Sequence, residues 1–183
     1  MKKFKNYINI FIIFISLFIG LLLVELGMRF AKIEYPMFQT YDFQRGFSLR
    51  PNASGWWMRE GKAHVKINSK GLRDREHKKY KNENTVRIAV LGDSFAEARS
   101  IPMKKTFWFL MQDELNSCIK SDNKKAEVIN FGVTEYSTTQ ELLTLRHYVW
   151  NYKPDIILLA FFSGNDISDN SKILSNKNYR PFF

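Results

Sequence analysis

Cysteine is nearly absent from this chain. Cys118 is the single one in 183 residues, so no intrachain disulfide can form and an exported domain here depends on its hydrophobic core. Its position after the helical stretch Thr106 to Asn116 suggests packing. Histidine is scarce too, with three in all, His64, His77 and His147. They stand far apart, and no Cys or His cluster has metal-ligand spacing. Asp166 with Asp169 reads as first-turn carboxylates of a short helix. Neither a metal nor a cofactor is expected. Acidic residues are in deficit, 18 against 28 Lys and Arg, for a formal charge of +10. The lysines punctuate loops and helix ends at His77 to Lys81, Lys104-Lys105 and Lys120 to Lys125, which reads as solvated charge and not as a nucleic-acid surface. Internal repeats and long low-complexity tracts are missing.

One long hydrophobic run is present. Residues 7–24 are almost wholly apolar, interrupted by Asn9, Ser16 and Gly20, and about eighteen residues suffice to cross a bilayer core. Lys2, Lys3 and Lys5 precede the run, while Glu25, Arg29, Lys32 and Glu34 roughly cancel after it. Such an asymmetry places residues 1–6 in the cytoplasm as a basic flank and the remainder outside, periplasmic or at the cell surface. Leu22 to Leu26 offers no small-residue cleavage site, which favours an uncleaved signal anchor. Residues 25–84 form an extracytoplasmic linker segment. Within it Trp56 to Arg59, Glu60-Gly61 and Ala63 to Ile67 read as a β-hairpin whose aromatics either pack on the following domain or line a ligand groove.

From residue 85 to 183 the pattern changes to α/β. Val86 to Leu91 is an apolar strand that breaks at Gly92-Asp93-Ser94-Phe95. A buried strand turning sharply into a helix lifts a serine hydroxyl to the strand's carboxyl end, where α/β proteins place their chemistry. Gly-Asp-Ser is also a common turn whose Asp and Ser can cap a helix. A second strand, Glu127 to Asn130, runs into Phe131 to Thr138, and a third, Asp155 to Phe162, ends in Ser163-Gly164-Asn165-Asp166. Parallel strands joined by right-handed crossovers deliver all three loops to one edge. Between them, Phe107, Leu110, Met111 and Leu115 recur at helical spacing as the stripe of a crossover helix, and another helix is expected from about Thr138 to Tyr152.

In these three ordered blocks the chain resembles the SGNH (GDSL-type) hydrolases, esterases and lipases with a flavodoxin-like doubly wound parallel sheet. Ile67 to Glu76 is similar to the membrane-anchored bacterial branch of that family. The resemblance implies that Ser94 is the nucleophile, supported by Gly92 and Asp93. The Ser94 N–H and the Asn165 amide then serve as oxyanion donors, with Gly164 and Asp166 ordering the Asn165 loop. Block II implies a further backbone donor at Glu135, where the family carries glycine. Gly132 is the alternative point of close backbone approach.

A histidine general base in an Asp-x-x-His block is the family's remaining element, and none follows Asn165 here. His147 falls late in its helix, which runs away from the loop edge, and His64 and His77 read as surface positions in the hairpin and the linker. The chain is therefore expected to be the amino-terminal part of such a domain, with an incomplete sheet and little activity of its own. The expected activity is cleavage of an acyl or acetyl ester, in an envelope polysaccharide or a lipid. An O-acyltransferase using the same residues, or a non-catalytic envelope binding or assembly protein, are the alternatives.

Overall fold

The computed structural model describes residues 2–31, 36–119, 123–175 and 179–182. Two compact units divide the chain, Met1–Tyr35 and Pro36–Phe183. The first is a single helix, α1 (Lys2–Phe30), whose segment Asn6–Phe30 is long and apolar enough to cross a membrane. At 1.5 Å per residue these 25 residues reach about 37 Å, beyond the roughly 30 Å of a hydrocarbon core. The helix outruns the apolar run 7–24 at both ends because polar residues at its ends do not break it. Near its carboxyl end Glu25 and Arg29, one turn apart, pair at 2.6 Å.

In the second unit two antiparallel pairs precede the main sheet. β1 (Gln39–Asp42) pairs with β2 (Gly46–Leu49), and β3 (Ser54–Trp57) pairs with β4 (Ala63–Lys66). Alternation is clean in β4, where Ala63 and Val65 are buried and His64 and Lys66 exposed. The inward residues meet in one core, Phe38, Phe47, Leu49, Ala53, Val65 and Ile67 with Val133 and Tyr136, against which Trp57 packs. Residues 36–68 are thus built onto the loop that follows the main sheet's second strand.

That sheet has three parallel strands, β5 (Thr85–Gly92), β6 (Lys125–Asn130) and β7 (Ile156–Ala160), in the order β6-β5-β7. β5 is central and buried on both faces, which its near-continuous apolar run dictates. Ile88 and Val90 face one side, with Val128, Ala96 and Trp108; Ala89 and Leu91 face the other, with Ile129, Phe131, Val149 and Tyr152. α3 (Phe107–Cys118) covers the first face and α4 (Thr138–His147) begins on the second. β7 is less covered, Ile156 and Leu159 being nearly half exposed.

Several sequence expectations change. Trp108 is fully buried and its Nε1–H donates to the Ala96 carbonyl at 2.8 Å. This turns α3 so that Trp108, Met111 and Leu115 face the sheet, while Phe107 and Leu110 are exposed. Cys118 is exposed, not packed. The helix from Thr138 stops at His147, and Val149–Tyr152 continues as a 3-10 turn that swings Val149 and Tyr152 into the core before Lys153 turns left-handed ahead of Pro154.

Candidate active site

The site lies at the carboxyl ends of β5, β6 and β7, where three loops interlock. After β5 the chain turns at Gly92, whose Cβ, if present, would lie 2.8 Å from Ala96 Cβ and 3.1 Å from Ala160 Cβ. Only glycine allows β7 and the following helix so close. Asp93 then caps a one-turn helix, α2 (Ser94–Glu97), its Oδ1 accepting the Phe95 N–H at 2.9 Å. Ser94, first residue of that turn, is exposed.

α2 ends abruptly because Ala98 is left-handed, and three buried donors then take carbonyls at its end. Trp108 Nε1 and Asn130 Nδ2 both donate to Ala96 O, and the Arg73 guanidinium donates to the carbonyls of Glu97, Ala98 and Ile101. Burial lowers the Arg73 pKa to about 10 despite the Glu97 charge, leaving it cationic at neutral pH. Its neighbour Asp74 accepts the Asn130 N–H at 2.8 Å, so consecutive residues hold the β5 and β6 loops together.

The β6 loop continues the pairing with β5, Phe131 N–H to Val90 O and Val133 N–H to Gly92 O. Gly132 packs against Ala96, where any Cβ would overlap, and its N–H donates to Asn130 Oδ1 at 3.0 Å. Its close approach is therefore to α2, and its donor is committed within the loop. Thr134 N–H donates to Glu97 Oε2 at 2.6 Å. Glu135 stands at φ +72°, the left-handed region that glycine enters freely and a glutamate rarely adopts. Its carboxylate accepts from the Tyr179 hydroxyl at 2.8 Å.

From β7, Asn165 Nδ2 donates to Tyr136 O at 3.3 Å, which joins the third loop to the second. Asp166 is fully buried and accepts the Phe162 N–H at 2.6 Å, closing the turn around Gly164. It does not sit in the first turn of a helix: the 3-10 turn Ser168–Asn170 begins later, and Asp169 there pairs with Arg180 at 3.0 Å. Phe162 and Phe95 stack beside Ser94 with centroids 4.7 Å apart.

A groove of about 320 Å³ opens at Ser94, lined by Trp57, Glu60, Phe95, Arg99, Ile101 and Thr134, among others. Trp57 thus both packs in the core and walls the groove. The Arg99 guanidinium lies 5.4 Å from the Trp57 ring centroid and pairs with Glu97. Among the described residues no histidine lines this groove. His64 lies against Trp56 on the outer face of β4, and His147 contacts Gln44 at the far end of α4. Instead of a surface linker position, His77 occupies a buried one between Asp74 (3.1 Å) and Glu127 (2.8 Å). Burial alone would lower its pKa, but hydrogen bonds to the two carboxylates raise it to about 9.

Beneath the loops three carboxyl groups gather. Glu141 on α4 is 1% exposed and its oxygens have no hydrogen-bond partner. Burial, with Asp166 and Asp93 nearby, raises its pKa to about 8, so it holds a proton at neutral pH. Burial raises Asp93 and Asp166 as well. Glu97, Arg73 and Glu141 carry no signal in the sequence that marks them as near the site. Among the described residues no group of His, Cys, Asp and Glu could hold a metal ion. No family model matches the chain, and no curated protein matches it significantly.

Proposed function

We propose that this chain carries the nucleophile and oxyanion side of a membrane-anchored serine ester hydrolase of the SGNH type, acting outside the cytoplasm. The observation that carries the reading is the exposed Ser94 at the mouth of an apolar-walled groove, on a capped strand-to-helix turn, with the Asn165 side chain bonded to the neighbouring β6 loop at Tyr136. The order β6-β5-β7 supports it, being the first three strands of the flavodoxin-like arrangement 2-1-3-4-5. In the reaction Ser94 Oγ bonds to the acyl carbonyl carbon as its proton passes to a base. The Ser94 N–H, the Asn165 amide and the backbone at Glu135 stabilise the oxyanion, each such donor contributing about 10² to 10³ in rate. The alcohol leaves, and water releases the acyl group from serine. The base is none of His64, His77 and His147. An acetylated envelope polysaccharide or a lipid ester is the substrate class.

Labelling by a fluorophosphonate probe, with and without added imidazole as a surrogate base, tests the assignment. Labelling that imidazole accelerates and Ser94→Ala abolishes is expected; equal labelling of both proteins rejects Ser94 as nucleophile. The absence of histidine from the groove favours a second reading, a non-catalytic envelope binding protein, which predicts no labelling under either condition.

A further inference from the structure

The outer face of the β3–β4 pair is not used by the site. Ser54, Trp56, His64 and Lys66 point outward along the two strands, with Met58 and Lys62 exposed in the connecting turn. Trp56 is 49% and Met58 64% exposed. His64 lies directly across from Trp56, their ring centroids 5.4 Å apart, and Lys62 Nζ is 5.5 Å from the same ring. An amphipathic indole with an imidazole on one side and a lysine ammonium on another is a side-chain set that settles at a membrane–water boundary.

Two further observations choose the occupant. Helix α1 is long and apolar enough to cross a bilayer, and its last residue, Phe30, is followed within a few residues by Pro36. Pro36 packs on β3 from the face opposite Trp56: a Cβ at Gly55, which points inward with Trp57, would be 2.6 Å from Pro36 Cβ and 3.9 Å from Phe38 Cζ. The chain thus enters the folded unit at this strand, and the five peptide links from Ala31 to Pro36 extend at most about 18 Å. Lys62 and Lys66 match an anionic headgroup layer in charge.

We propose that the outer face of β3–β4 docks on the anionic surface of the bilayer that α1 spans, Trp56 and Met58 entering the headgroup boundary and Lys62 and Lys66 pairing with lipid phosphates. Trp57, on the opposite face of the same strand, lines the Ser94 groove, so docking holds the groove beside the lipid. That corollary rests on the proposed hydrolase; the docking does not.

The test uses the full chain reconstituted in phosphatidylcholine vesicles with or without phosphatidylglycerol, the acyl chains brominated near the headgroup end. The difference in emission between wild type and Trp56→Phe isolates Trp56. Loss of most of that difference in brominated anionic vesicles, and its recovery in Lys62→Gln/Lys66→Gln, is expected. Unchanged far-ultraviolet circular dichroism and melting temperature in both variants show that the fold is kept. Three results overturn the proposal: no quenching of Trp56, equal quenching in phosphatidylcholine alone, or shielding that follows protein density in the vesicle, which marks a second copy as occupant. Ser94 labelling is read separately, so loss of the hydrolase assignment leaves this result standing.

Discussion

Gly132 is held from both sides, its N–H given to Asn130 Oδ1 and its α-carbon pressed on Ala96. Gly132→Ala is expected to destabilise the protein by about 1–3 kcal/mol through overpacking. Ala96→Gly in the same chain should recover part of that loss, and denaturant melts of the two variants and their combination give the coupling. Additive losses would show that the contact is not the cause. Glu141 presents a different residue-scale problem, a buried carboxyl with a raised pKa. Its folded pKa of about 8 lies above the ordinary 4.5, so the folded state binds the extra proton between these values. Stability therefore falls as pH rises from about 4.5 to about 8. Glu141→Gln should remove that part of the slope and melt above wild type at pH 8, with a smaller gain at pH 5. A gain independent of pH would reject the assignment.

At the scale of elements, the segment from Asn68 to His77 acts as a brace. Asn68 shapes it by donating to Arg75 O and accepting from the Lys70 and Leu72 amides; Arg73 then grips the end of α2, and Asp74 the start of the β6 loop. His77 anchors its far end between Asp74 and Glu127, and Glu127 also pairs with the buried Arg87 at 2.7 Å. Because the folded His77 pKa, about 9, is raised above the model-compound value of 6.5, its contribution is complete below 6.5 and is lost as pH climbs through 9. His77→Gln should flatten the alkaline decline in melting temperature between those limits while lowering stability at pH 6. Hydrogen exchange at Asn130 and in α2 should rise in the variant at pH 6. A variant with the wild-type alkaline slope would show that His77 is not the titrating group.

For the whole molecule, the chain joins an exposed helix long and apolar enough to cross a membrane to a folded α/β unit. The single cysteine reports on their arrangement in the cell, since Cys118 is exposed at the end of α3. With the amino-terminal lysines inside, a membrane-impermeant maleimide should label Cys118 in cells whose outer envelope is permeable to it, without lysis of the inner membrane. Labelling only after lysis would reverse the orientation.

Much of this architecture is legible in the residues alone. Three apolar runs each ending in a polar, glycine-containing loop determine three parallel strands and a common edge, because a run buried on both faces excludes the alternation of a solvent-facing strand. A run of eighteen residues, almost wholly apolar, behind three lysines determines a segment able to cross a membrane, because length and hydropathy are local properties. What only the tertiary structure decided are the pairings between distant segments: His77 buried between Asp74 and Glu127, Trp57 in the wall at Ser94, Arg73 on the carbonyls of α2, Trp108 and not Phe107 against the sheet. A short polar side chain reads as surface until a carboxylate or carbonyl from another part of the chain meets it. Such meetings depend on how the loops close, and no periodicity records that.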